Sequence, residues 1–250
     1  MMECTTGLTD DEFDELLAWL REEGVEGYPP ILGLSGSLRA ALMYIRQNIV
    51  QAVIGEQLGV SQPTVSRAIK AITAAIARTL TVLLLTAEEV PEDCDYVVDG
   101  TLFPCLDWHG HRDLWSVKHK RAGMTDPDPG PARRKVRVGP GAPIRGPCTT
   151  WPHQAPFGLL EGMDPSGWIG DKGYVGRGMI TPHKKPPNGE LSEAAKEENK
   201  NVNRIRQVVE RTIAHIKPWR ILHTAYRRPL ETFEQTITAA LALYTFKTTR

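Results

Sequence analysis

Glu210 sits between two cations in a stretch that reads as an α-helix. From Asn203 to Lys217 the apolar residues Val202, Ile205, Val209, Ile213 and Ile216 recur at intervals of three and four, the period of one buried helix face. Arg206 precedes Glu210 by four residues and Lys217 follows it by seven, so 3.6 residues per turn stacks all three along a neighbouring side. A solvated ion pair worth ~0.3 kcal/mol has the same spacing. Two upstream aspartates change the weighing: Asp99 follows Tyr96-Val97-Val98 and Asp171 follows Trp168-Ile169-Gly170, each closing a short strand-like run. Either could be a simple turn former. Gathered with Glu210, they make an oxygen-only ligand set, which suits Mg²⁺ or Mn²⁺ and not zinc. Three such acids would raise one another's pKa unless a cation sat among them. Two metal ions ~4 Å apart can activate a water or a 3′-hydroxyl and stabilise the leaving oxygen of a phosphodiester. Arg206 and Lys217 could then hold phosphates of the same strand.

A second pattern carries recognition. Residues 51–70 read as a helix-turn-helix, with Gly55 allowing close helix approach, Gly59 in the turn, and Ile54, Leu58, Val60, Val65 and Ile69 filling the wedge. Ser61 is the expected cap and Pro63 falls in the first turn of the second helix. Gln62, Thr64, Ser66, Arg67 and Lys70 are then expected to project towards base edges and phosphates of a major groove. An αα-hairpin with a solvated polar face is the plainer alternative.

The elements that would hold these groups can be read around them. Thr9 and Glu12 predict a capping box opening a helix over 9–23, with Phe13, Leu16, Leu17 and Leu20 inward. A second helix is expected from about Ser37 to Asn48, burying Leu38, Leu42 and Ile45. Helical periodicity continues through 71–85 and gives way to β-type sequence after Pro91. Asp113–Val117 reads as a strand running into Lys118-His119-Lys120-Arg121, a basic cluster that is either a solvated strand end or a phosphate contact. Residues 124–157 break the pattern with eight of the 19 prolines and the run Arg133-Arg134-Lys135-Val136-Arg137. Proline removes a ladder donor, so no central strand is expected there. Lys184–Asn201 reads as a polar linker, Trp219–Tyr226 as an extended piece, and Leu230–Phe246 as a final helix.

Composition sets outer bounds. The 250 residues balance 30 bases against 30 acids, but the first thirty hold nine acids and one base. That leaves residues 31–250 at +8, a basic body compatible with a polyanionic partner. Four scattered cysteines without a CxxC spacing suit reduced thiols in a cytosolic compartment. Cys105, His109 and His111 lack a second ligand pair at zinc-like spacing, and the glycines at 170, 173, 176 and 178 do not space as a phosphate loop. Neither a membrane span nor a signal peptide is expected.

In combination and order, Asp99-Gly-Thr, Lys118-His-Lys-Arg-Ala-Gly, Asp171-Lys-Gly-Tyr and Asn203-x2-Arg206-x3-Glu210-x6-Lys217 resemble the DDE transposases of bacterial insertion sequences. More narrowly they resemble the Harbinger-like DDE superfamily endonucleases, across roughly 30–123 and 158–247. The resemblance implies an all-α helix-turn-helix domain over 1–88, then an α/β ribonuclease H-like domain over 91–250 with a mixed sheet, incomplete around 124–157. It implies Asp99, Asp171 and Glu210 as the metal-binding triad. It also implies Arg206 and Lys217 as partners in a Tyr-Arg-Glu-Lys type signature, where this chain has Asn203 in the tyrosine's place. Implied with these are double-stranded DNA at element ends and target, a homo-oligomer on that DNA, and a bacterial, nucleoid-associated site of action. The Pro/Arg-rich stretch departs from the family, as a locally shifted and later compensated reading frame would. The alternative reading is therefore a decayed, inactive copy, or a regulator using only the helix-turn-helix. A ribonuclease or repair nuclease on the same fold would have no use for a duplex-reading module.

Overall fold

The computed structural model describes residues 2–84, 95–101, 103–104, 106, 115–116, 121–124, 132–138, 166, 169–170, 175–176, 178, 180–187 and 189–249. For most strand residues, and for 206 and 208–215, it is the backbone that is described. The chain gathers into two compact units: Met1–Leu84 with Phe103–Gly123 and Ile216–Arg250, and Leu85–Leu102 with Met124–His215.

The first unit is built on helices α1 (Met2–Thr6), α2 (Asp10–Glu22), α3 (Gly33–Gln47), α4 (Gln51–Leu58), α5 (Gln62–Thr79) and α7 (Phe233–Thr248). The capping box of α2 forms as its sequence predicts: the Glu12 amide donates to Thr9 Oγ1 at 3.2 Å and the Thr9 amide to Glu12 Oε2 at 2.7 Å. The inward residues of α2 are Phe13, Leu16, Leu17 and Leu20. Helix α3 ends at Asn48, which takes a left-handed conformation (φ 47°), the one non-glycine residue with positive φ among those described. Asparagine is among the few residues that tolerate this C-terminal position.

Helix α7 supplies the middle of this unit. Phe233 and every residue from Thr236 to Phe246 are buried, so α7 is covered on all sides. Its threonines can be buried because their hydroxyls donate to carbonyls one turn back: Thr236 to Thr232 at 2.8 Å, Thr238 to Glu234 at 3.0 Å and Thr245 to Leu241 at 3.1 Å. It packs on α5 and α3. Trp19 of α2 meets Phe246 edge-to-face with centroids 5.6 Å apart. The expected boundary near 88–91 divides the chain by sequence order. Packing does not follow that order, because 216–250 fold with the helices of residues 1–84.

Residues 219–226, expected to be extended, make a single 3₁₀ turn at Arg220–Leu222 instead. Trp219, Ile221, Leu222 and Tyr226 are buried, a spacing that a flat strand would split between two faces. The Tyr226 amide donates to the Pro104 carbonyl at 2.8 Å, and the Leu106 amide to the Tyr226 carbonyl at 2.9 Å. In this unit β2 (Phe103–Pro104), β3 (Trp115–Ser116) and β4 (Arg121–Met124, its last residue assigned to the second unit) form a small sheet of order β2-β4-β3.

In the second unit β1 (Asp95–Thr101) lies between β5 (Ala132–Val138), antiparallel, and β6 (Ile169–Gly170), parallel. Strand β5 lies inside the stretch whose prolines argue against a central strand. It occupies the proline-free interval and the edge of this three-stranded sheet, where the demand on backbone donors is least. Helix α6 (Glu193–Ile216) is 24 residues long and starts ten residues before the predicted one. The supposed linker is helical because Ser192 Oγ accepts from the Ala195 amide at 3.2 Å and good helix formers follow. Lys196 pairs with Glu193 at 2.7 Å and Lys200 with Glu197 at 3.6 Å, so polar residues support one another along its surface.

Candidate DNA-binding module and carboxylate site

The helix-turn-helix is α4, the turn at Gly59-Val60-Ser61, and α5. Gly55 is needed for steric reasons: a Cβ there would lie 2.6 Å from the Val60 carbonyl oxygen, closer than real contacts allow. Gly59 has φ 68°, the left-handed geometry of the turn. Ile54, Val65 and Ile69 are fully buried between the helices, while Leu58 and Val60 are half-buried at the rim. Ser61 occupies the N-cap position, yet its hydroxyl pairs with the Thr64 hydroxyl at 2.9 Å and not with a backbone amide.

Of the residues expected to project from α5, Gln62, Arg67 and Lys70 are exposed and Ser66 is half-exposed. Thr64 is not among them. It is 7% exposed and turned towards Ser61, because it shares the inner side of the helix with Val65 and Ala68. Gln62 Nε2 donates to Gln51 Oε1 at 2.6 Å, tying the start of α5 to the start of α4. Sequence reasoning missed Gln51. The signal available was only two glutamines, at the first residue of each helix of the motif.

Asp99 lies within β1, two residues before its end, and not at the strand end its sequence suggests; β1 continues through Thr101 because β5 pairs with it over its full length. In that register Asp99 faces Arg134 across the antiparallel ladder. The parallel register with β6 pairs Val97 with Ile169 and Val98 with Gly170. The residue that follows Val98 in the sequence is Asp99, and the one that follows Gly170 is Asp171. Asp171 itself lies outside the described residues, as do Lys118 and Lys120; for Asp99, Glu210, Arg206 and Arg121 the backbone is described. Glu210 and Arg206 belong to α6, and Asp99, Asp171, Arg206 and Glu210 all fall in the second compact unit. Arg121 opens β4 opposite Ser116. Lys217 is exposed just past α6 and falls in the first unit. No cluster of three metal-ligating side chains occurs among the described residues.

Residues 32–81 match the family described as the helix-turn-helix of DDE superfamily endonuclease, and residues 154–245 match the DDE superfamily endonuclease itself. The second match contains Asp171, Arg206, Glu210 and Lys217, and Asp99 lies between the two. A duplex-reading module joined to such an endonuclease defines the class, whose members work with divalent metal ions. These matches, with the relative that follows, support a DDE transposase of insertion sequences. The chain is 28% identical over 227 residues to a protein of Streptomyces albus G assigned as the transposase for insertion sequence element IS112, covering 87% of this chain and 83% of that one. No solved structure matches it.

Proposed function

We propose that this transposase cuts DNA at the ends of its mobile element and joins the freed ends to a target, with Asp99, Asp171 and Glu210 as the carboxylates that would hold two Mg²⁺ or Mn²⁺ ions. The observation that carries the reading is the parallel register of β1 and β6. Partners in a parallel pair advance in step along both strands. Here the residues immediately preceding the two aspartates are such partners, Val98 with Gly170. That register fits the ligand set: the residues just before two of the carboxylates are paired although their strands are far apart in sequence, and the third carboxylate belongs to α6. When bound, the ions would polarise the scissile phosphate and lower the pKa of the attacking hydroxyl. The chain's own task is to hold acceptor-only oxygens in place and to supply cations, Arg206 and Lys217, for the phosphates beside the cut.

A β1 flanked by one antiparallel and one parallel neighbour also supports a ribonuclease H-like mixed sheet for the catalytic part, residues 91–250. Duplex recognition falls to residues 1–88 through Gln62, Ser66, Arg67 and Lys70, with Lys118, Lys120 and Arg121 as further phosphate contacts. Strand exchange between two element ends calls for more than one copy of the chain on the DNA. The work takes place at the bacterial nucleoid, and no described helix is long and apolar enough to cross a membrane. The endonuclease match runs through Glu210 to residue 245, which favours an enzyme over a protein that uses only its helix-turn-helix.

The test is nicking of element-end duplex in Mg²⁺ by Asp171→Asn and Glu210→Gln. Both variants are expected to lose nicking and keep duplex binding. Undiminished nicking by both would remove the triad.

A further inference from the structure

Between Glu210 and Glu231 the chain contains no acid and carries Arg211, His215, Lys217, Arg220, His223, Arg227 and Arg228. Lys217, Arg220, His223 and Arg227 are exposed, and none has a carboxylate partner among the described residues. Among the described residues the segment is anchored by its apolar side chains, Trp219, Ile221, Leu222 and Tyr226.

The segment is also fixed beside the helix-turn-helix. Asn48 Nδ2 donates to Thr224 Oγ1 at 2.7 Å and to the Ala225 carbonyl at 2.9 Å. Arg46 lies over the Trp219 ring at 5.4 Å. Asn48 is three residues before Gln51, so their Cα atoms are at most ~11 Å apart. Gln51 in turn bonds Gln62 at the start of the recognition helix. Two hydrogen-bonded links, Gln62 to Gln51 and Asn48 to Thr224 and Ala225, are therefore joined by three residues of chain, with His223 just before Thr224 and Arg227 two residues after Ala225. The first helix of such a motif crosses the DNA backbone where its partner enters the groove. Burial lowers the His223 pKa, and the Arg220 and Lys217 charges lower it further, as expected where positive charge is not neutralised.

From this placement we propose that Arg220 and Arg227 form a DNA-backbone clamp beside the helix-turn-helix, so that the C-terminal part of the chain extends the footprint of the N-terminal module. The proposal rests on the reading of α4 and α5 as the duplex-binding module. Its ligand is the phosphate backbone, because the first helix of the motif, next to which the segment is held, crosses that backbone, and contacts to phosphates position the protein without reading sequence.

The test measures binding of the full chain to a random-sequence duplex over a range of NaCl concentrations. Each phosphate contact contributes about 0.9 to the slope of log K against log salt. For R220Q/R227Q the slope is expected to fall by ~1.8, with the preference for element ends over random duplex retained. R220K/R227K, which keeps the charge, is expected to keep the slope. An unchanged slope in the Gln variant, with R67Q/K70Q weakened, overturns the clamp and leaves the module's role intact. Equal loss in the Gln and Lys variants marks a packing defect and also overturns it. If R67Q/K70Q binds as well as the wild type, the reading of the module falls, and the clamp with it.

Discussion

The side-chain amide of Asn48 donates to the Thr224 hydroxyl across 176 residues of sequence, at 2.7 Å. Thr224 passes the bond on by donating to the Arg220 carbonyl at 2.5 Å. One residue thereby ends α3 in a left-handed conformation, leads into the helix-turn-helix, and holds the C-terminal segment to it.

Replacing Asn48 separates these roles. Asn48→Gly keeps the left-handed backbone but loses both bonds, and is expected to cost ~1–3 kcal/mol. Asn48→Ala adds the steric penalty of a Cβ at positive φ, a further ~1 kcal/mol. Urea unfolding of the two variants beside the wild type checks the order Asn48 > Gly > Ala.

Gly55 and Gly59 should respond differently although both lie in the motif. Gly55→Ala puts a methyl 2.6 Å from a backbone carbonyl that has no room to yield, so ~1–3 kcal/mol of stability and much of the duplex affinity should be lost. Gly59→Asn should be mild: nothing lies within 4 Å of its Cβ position, and asparagine tolerates left-handed geometry. Thermal melting with a duplex-binding titration separates the two.

Thr64 and Arg67 part ways although spacing alone gives both the same role: Arg67 is exposed and Thr64 is buried. Thr64→Ala should lower stability by ~1 kcal/mol through its lost bond to Ser61, with little direct effect on DNA contact. Arg67→Gln should leave stability within ~0.5 kcal/mol and weaken binding, as exposed substitutions do. Stability and affinity measured on the same two proteins would contradict this if Thr64→Ala weakened binding without moving the melting point.

His223 predicts a pH dependence of stability. Its folded pKa lies below the usual 6.5, first by burial and then by Arg220 and Lys217. The unfolded state therefore binds the proton more readily, and stability falls as pH drops through and below about 6.5. Above that value the group is neutral in both states and contributes no slope. His223→Gln should flatten this part of the profile. Unfolding free energies at pH 5, 6 and 7.5 for both proteins check it, and an unchanged profile would count against the assignment.

The helix-turn-helix was legible because its requirements are local. A glycine for close approach, a left-handed turn glycine, a cap position and an apolar wedge all fall within twenty consecutive residues, and α2 declared its start through Thr9 and Glu12. The first ten residues of the long α6 helix held little apolar periodicity, so its early start at Glu193 rested on a serine cap and polar pairs that resemble a linker. The acids at 99, 171 and 210 could be named from their neighbours and their order. The register that makes Val98 and Gly170 partners is a long-range choice of backbone pairing, absent from the sequence period. The burial of Thr64 likewise depended on which side of α5 was covered.

What the sequence determined by itself was the set of short-range elements and the chemical types they carry: a duplex-reading motif, three carboxylates and a cationic, proline-broken body. The tertiary structure alone decided that α7 is enclosed among the N-terminal helices and that Asn48 holds Thr224. Hydrophobic burial has no memory of sequence distance. A helix apolar on every side goes wherever enough nonpolar surface awaits it, and here that surface belonged to the other end of the chain.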